Sequence, residues 1–358
     1  MIKNIHNWIF SYIKQEINRF LIKQKYDPPI HIIFCFVDHF EPDWNFADKD
    51  IQSKRVKRWV TDYPNIATKH KDSEGHYPKH TFFYPIECYT KDHLELLLEL
   101  YKQGLGEVEI HLHHDNDTDE SLRKKLEAGK KNFLKHGLLS KNKKTDQISY
   151  GFIHGNWALN NSRKDGKWCG VNNESQILFE TGCYADFTFP SAPSETQPKK
   201  INSIYYDKGS KLNSKSHNSG SDVKIGKIIS DKLMIINGPL ALNFKKLKIE
   251  NSDITGNNPP TTDRIDLWIQ QHISIHNKPD CIFVKIHTHG AKENNMEVLL
   301  GEPMDKMFSY FESNYNDGKK YILHYVSARE MYNIIKAFEA GEKGIPGEYR
   351  DYLLIPLY

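Results

Sequence analysis

The sequence predicts an α/β protein, a parallel sheet or (β/α) barrel with helices packed on it. Three observations predict it. Eight short apolar runs recur, at 30–37, 81–85, 108–113, 148–154, 184–189, 233–236, 281–287 and 321–326. Helical spacing falls between several of them, at 93–103, 120–135, 174–181, 265–276 and 328–340. Alternation of that kind favours parallel strands joined by helical crossovers. Third, several runs end in His or Asp, and a barrel builds its active site at the C-terminal ends of its strands.

The elements follow in chain order. Apolar residues at Ile2, Ile5, Ile9, Ile13, Ile17 and Phe20 give a helix over 1–28, interrupted by Lys3, Lys14, Arg19 and Lys23. It is too polar to span a bilayer and lacks a cleavable signal pattern, so a cytoplasmic location is expected. The helix either packs on the domain or lies on the inner face of a membrane with Trp8 and Phe10. A single barrel is expected over 29–345, and a tail over 346–358. The stretch 191–227 is rich in Ser, Lys, Asn, Pro and Gly, and reads as an insertion with a mobile middle at 208–222. The stretch 250–263 reads as a turn region.

Composition narrows the function. Lys and Arg number 49 against 46 Asp and Glu, which argues against a dedicated nucleic-acid binder. The five cysteines show no CxxC spacing, so neither a disulfide framework nor a zinc ribbon is expected. The 18 histidines are the notable feature. His39, His111, His113, His114, His154, His287, His289 and His324 lie in or just after apolar runs. His111 and His113 can face one way, as can His287 and His289, because residues two apart in a strand share a face. Imidazole mixed with carboxylate suits Zn, with Mn, Co, Ni or Fe as alternatives. The absence of Cys from this set argues against a structural zinc site.

At these motifs the chain resembles the polysaccharide deacetylases (carbohydrate esterase family 4). Phe36-Val37-Asp38-His39 resembles that family's first motif, Thr-Phe-Asp-Asp. Glu109-Ile110-His111-Leu112-His113 resembles the second, which supplies metal-binding histidines. Residues 151–157 occupy the place of the third motif, and Ile286-His287-Thr288-His289 resembles the late motif with the general acid. The likeness spans roughly residues 30–330. It implies a distorted (β/α)7-type barrel, here with an N-terminal amphipathic helix and loop insertions. It also implies a divalent metal and hydrolysis of an N-acetyl group on a sugar. Carried over, it makes Asp38 the base and His289 or His287 the acid, with His39, His113 and Asp117 on the metal and His111 or His114 as alternates.

Departures stand beside the likeness. His39 replaces the second Asp, Asp117 rather than His stands four after His113, and no Arg-Pro-Pro-Tyr string follows the fourth run. Trp44, Trp157 and Trp168 could stack on sugar rings, or simply pack loops. His154, Asn156 and Asp186 complete the expected saccharide contacts. Rival readings are a metal-dependent amidohydrolase or phosphoesterase, a glycoside hydrolase using Asp38 and Asp186, and a non-catalytic saccharide-binding barrel.

Overall fold

A computed structural model describes residues 3–22 and 27–358. Met1, Ile2 and residues 23–26, with Lys23 and Lys25 of the expected N-terminal helix, lie outside the described residues. Helix α1 (Ile9–Ile22) comes first. Trp8 and Tyr12 are buried against Ala192, Ile201 and Leu240. Trp8 is therefore not available to a membrane surface, which corrects that expectation. Phe10, Ile13, Ile17 and Phe20 instead point outward at helical spacing, with Phe10 79% and Phe20 76% exposed. No helix among the described residues is long and apolar enough to cross a membrane.

β1 (Ile30–His39) is almost wholly buried, as expected of a parallel strand covered on both faces. α2 (Lys49–Ala67) starts at Asp48, whose side chain accepts the Ile51 N–H at 2.9 Å. Its Lys- and Arg-rich sequence hides a buried stripe of Val56, Trp59, Tyr63 and Ile66. β2 (His80–Pro85), α3 (Lys91–Lys102), β3 (Gly106–Leu112) and α4 (Asp119–Leu134) continue the alternation. β4 (Ser140–Asn142), β5 (Ile148–His154), α5 (Glu174–Glu180) and β6 (Cys183–Asp186) follow.

Next come β7 (Ser203–Asp207), β8 (Ser221–Asp222) and β9 (Leu233–Asn237). β10 (Ala241–Asn243) and β11 (Lys248–Glu250) form a separate hairpin. β12 (Asp253–Ile254), α6 (Thr262–Gln270), β13 (Cys281–Thr288), α7 (Glu293–Leu299) and α8 (Glu302–Tyr315) precede β14 (Tyr321–Val326). α9 (Ala328–Ala340) is closed by a Ser327–Glu330 capping box at one end and by Gly341 at φ 93° at the other. β15 (Leu354–Pro356), in the expected tail, pairs with β4.

Seven parallel strands run in the order β13-β1-β2-β3-β5-β6-β9. The eighth, β14, is a wedge. β1 pairs with β14 over Ile30–Cys35 and with β2 over Phe36–His39. The two ends of the run are joined through the segment expected as an insertion. β7 pairs antiparallel with β9 and with β8. Lys224 then bridges His276, and the Phe283 N–H reaches the Ile273 carbonyl at 2.8 Å, which returns to β13. This explains why 271–276, expected as the end of a helix, is irregular: its backbone serves the circuit. It also puts Ile204, Tyr205 and Tyr206 in the buried wall rather than in a surface loop.

Strand alternation separates two packed layers. Phe34, Phe36 and Phe40 join the layer under α2, α3, α4 and α8. Ile33, Cys35 and Val37 face the other way, with Phe83, Phe187, Phe283 and the α9 residues Met331, Ile334 and Phe338.

Candidate metal centre

The histidines meet at the C-terminal ends of β1, β3 and β13. His39 ends β1 and Glu41 follows two residues later. The His39 ring stacks on His289 at 4.6 Å between centroids, with His111 at 5.2 Å and His287 at 6.3 Å. Glu41 stands between the two His-x-His pairs. Its Oε1 lies 3.2 Å from His111 Nε2 and 3.1 Å from His113 Nε2. One ligand atom each from His39, Glu41 and His289 fall within 4.8 Å of one another, and so do those of Glu41, His111 and His113. These buried clusters could hold a metal ion.

The donor set fits a divalent ion on two grounds. Glu41 Oε2 is buried with no hydrogen-bond partner, a costly arrangement for a carboxylate oxygen unless something else binds it. Burial also favours the ligating, neutral form of His39 and His289. Burial, with the neighbouring His289 and His111, holds His39 well below its ordinary value. Burial also holds His289 down to about 4, Lys292 adding to it and Glu41 opposing it. Burial and then Lys285 hold His287 well below its ordinary value. Burial opposes ionisation of Glu41, but hydrogen bonds from His111 and His113 keep it well below the usual carboxylate range.

Outer contacts fix these rings. His111 Nδ1 donates to the Ile153 carbonyl at 2.8 Å. Glu87 Oε1 accepts from both the backbone and Nδ1 of His113, at 2.9 and 2.7 Å. Burial disfavours a charge on His113, yet Glu41 and Glu87 push it up to about 10. Such second contacts set which nitrogen faces a metal. His287 Nε2 lies 4.0 Å from Asp253 Oδ1.

Aromatic side chains form a rim. Trp157 lies 6.1 Å from His39 and 6.0 Å from His289, and Trp44 lies 6.2 Å from His289. The Lys292 ammonium sits 3.3 Å over the Trp44 ring, which is 42% exposed. Beside it is a pocket of about 250 Å³ lined by Trp44, Thr255, Gly256, Lys292 and Asn295. Asn156, at φ 56°, turns the chain so that Trp157 reaches the rim. Gly155 is required there, because a Cβ would stand 2.3 Å from the His113 ring.

Four expected site residues lie elsewhere. Asp38 alternates with His39 and faces the helix side. Its carboxylate is fully buried, takes the Gly290 N–H at 2.6 Å and pairs with His80 at 2.8 Å. Asp117 does not reach His39 or His113. It is bound by Lys125 at 2.8 Å and faces His114 Nδ1 at 2.9 Å. His154 is buried beside His114, with ring centroids 4.7 Å apart. Asp186 is buried, accepts the Thr188 hydroxyl at 2.6 Å, and is pushed up to about 7 by burial. Lys285, inward-facing as its spacing from His287 suggests, donates to the carbonyls of Phe187 and Phe189. Glu41 and Glu87 were missed. The rule that paired His111 with His113 also pairs His39 with Glu41, so Glu41 was within reach. Nothing in the sequence marks Glu87.

No protein-family model and no curated protein sequence matches the chain. Among solved structures, an alpha-mannosidase from Enterococcus faecalis V583 is similar over 87% of this chain, at 9% identity and a TM-score of 0.42. The chain spans 29% of that enzyme's length, and a likeness at this level assigns no activity.

Proposed function

We propose that the protein is a metal-dependent hydrolase that removes N-acetyl groups from a sugar or polysaccharide. The observation that carries the reading is Glu41, a carboxylate shared by two His-x-His pairs, with one buried oxygen unpartnered. His39, Glu41 and His289 would hold the ion, with His111 and His113 beyond Glu41 as further ligands or supports. Zinc suits this mixed nitrogen and oxygen set, and when bound it would acidify a water and polarise the acetyl carbonyl. His287 is the remaining imidazole at the site. Its Nε2, 4.0 Å from Asp253 Oδ1, would take a proton from the attacking water and pass it to the leaving amine. Trp44 and Trp157 would stack on the sugar ring, and their position at the rim excludes water from its apolar face. Asp38 is here a positioning residue: it ties down Gly290 and so orients His289.

The glycoside hydrolase alternative would use Asp38 and Asp186, both of which are buried in hydrogen bonds. A screen of N-acetylated saccharides tests the choice. Released acetate that requires a bound metal is the expected result. Reducing sugar without acetate would overturn it, and a chain that binds saccharide but no metal would be a binding module.

We also propose that α1 contacts a membrane surface at its inner face. The outward Phe10, Ile13, Ile17 and Phe20 form an unbroken apolar stripe, and the exposed Lys3 and Lys14 would favour anionic lipid.

A further inference from the structure

We infer that the chain has a second, structural metal site, built from His114, His154, Cys169 and Glu174 and suited to zinc. These residues come from four places: just beyond β3, the end of β5, the loop before α5, and the first residue of α5. All four are buried, and one ligand atom from each lies within 4.8 Å of the others. The inference is independent of the proposed hydrolase centre.

Orientation is the stronger evidence. His154 Nδ1 faces the Gly155 carbonyl, to which it can donate, which leaves Nε2 as a lone pair. That Nε2 is buried, has no hydrogen-bond partner and lies 3.4 Å from Glu174 Oε1. His114 turns its Nε2 to the same carboxylate, here in a hydrogen bond. Asp117 Oδ2 stands 2.9 Å from its Nδ1, and its Nε2 lies 3.1 Å from the same Glu174 oxygen. An oxygen behind each Nδ1 and both Nε2 atoms turned to one point is how metal-bound histidines are supported.

The sulfur fits as well. Cys169 Sγ accepts backbone N–H groups from Asn161 at 3.3 Å and Val171 at 3.4 Å, and lies 3.3 Å from Glu174 Oε2. These backbone donors would support a thiolate once a cation is bound; without one, burial and then Glu174 keep the thiol protonated, and Sγ also donates to the Val171 carbonyl at 3.4 Å. Two neutral imidazoles, one thiolate and one carboxylate balance a 2+ ion. On binding, zinc–donor bonds form, and the Cys169 thiol proton and the proton on His114 Nε2 leave to solvent. Four protein donors in a closed, buried position describe a structural site rather than a catalytic one. It would fix the turn 155–157 that carries Trp157. The lack of CxxC spacing concealed it, because Cys169 and Glu174 reach His114 and His154 only through the fold.

The test is metal content of the full-length protein after dialysis against a mild chelator. The expected result is one retained zinc per chain, lost in both Cys169→Ser and His154→Gln and kept in Glu41→Gln. Retention of that zinc by both variants would overturn the inference. Should the variants not fold, the cobalt-loaded native protein decides. A thiolate-to-cobalt charge-transfer band supports the site, since among the described residues no other cysteine joins a ligand cluster. A folded, cobalt-loaded protein without that band refutes it. A site that survives here while Glu41→Gln leaves metal content and activity unchanged would sink the hydrolase centre alone.

Discussion

The Asp38 carboxylate accepts the backbone N–H of Gly290 at 2.6 Å, so the end of β1 and the turn after β13 are tied on the side away from the histidines. Trp59 reinforces the tie by donating its Nε1–H to the Gly290 carbonyl at 2.8 Å. His289 is thereby held against His39. Asp38→Ala leaves Gly290 and His80 without their acceptor in a buried place. At about 1–3 kcal/mol for each stranded group, the expected loss of stability is roughly 2–6 kcal/mol. Urea unfolding measures it, and an unchanged midpoint would remove Asp38 from this role. Gly290→Ala should be at least as damaging, because a Cβ would stand 2.0 Å from Asp38 Oδ2.

Glu41→Gln separates two roles for that side chain. As a ligand, Glu41 supplies charge, so the variant should bind zinc at least ~10-fold more weakly, with activity falling in proportion. Competition with a chromogenic chelator reads the affinity. Native affinity with activity lost would make Glu41 a base and return the ligand set to the histidines alone.

Acid should weaken the protein earlier than its carboxylates would. Burial, then His324, holds His31 down to about 4, and burial, then Lys215, holds His217 down to about 3. The unfolded chain takes up these protons near pH 6.5 while the folded chain refuses them. Stability is therefore full above about pH 6.5 and lost as pH falls toward 4 and below. Urea midpoints should drop between pH 7 and 5, with a shallower slope in His217→Gln. A flat profile across that interval in the native protein would contradict the assignment.

Arg264 anchors the stretch that carries Asp253. Its guanidinium grips both oxygens of Glu250 at 2.7 and 2.8 Å and donates to the carbonyls of Asp253, Asn258 and Pro259. Arg264→Met strands a buried carboxylate and should cost about 3–5 kcal/mol. Thermal unfolding checks it. Because β12 pairs with β13 beside His287, the same variant should lower turnover more than it weakens zinc binding.

The α1 stripe predicts lipid binding. The double change Phe10→Ser and Phe20→Ser should reduce co-sedimentation with anionic vesicles by more than ~10-fold, at about 1.5–3 kcal/mol for each buried Phe. Trp8→Ala should instead destabilise the fold, since Trp8 packs inward. Equal binding of the native and doubly changed chains would rule the stripe out.

Much of the fold was legible, because each of the eight apolar runs is a strand and α9 spans the expected residues. α2 was not, since its buried stripe is diluted by Lys54, Arg55, Lys57 and Arg58 around Val56. β7 was not, because a polar surrounding masked a short apolar core. At the site, spacing two apart located the histidine pairs correctly in space. The error of placing Asp38 beside His39 came from applying a family motif where strand alternation puts neighbours on opposite faces. Asp117 was misplaced because the chain turns after His113, and distance along the sequence stops reporting distance in space.

The partner switch of β1, from β14 to β2 between Cys35 and Phe36, also sets a hierarchy of motion. With β13 along its other edge, β1 is held by three neighbours, so its amides should exchange with deuterium only on global unfolding. Trp44 and Trp157 sit on single short turns outside any ladder. On the proposed function, the metal ligand His39 would thus sit on the most protected strand and the aromatic rim on turns outside the sheet. If that proposal holds, relatives that keep β1 unchanged while varying those two turns would differ in the sugar accepted and share the reaction.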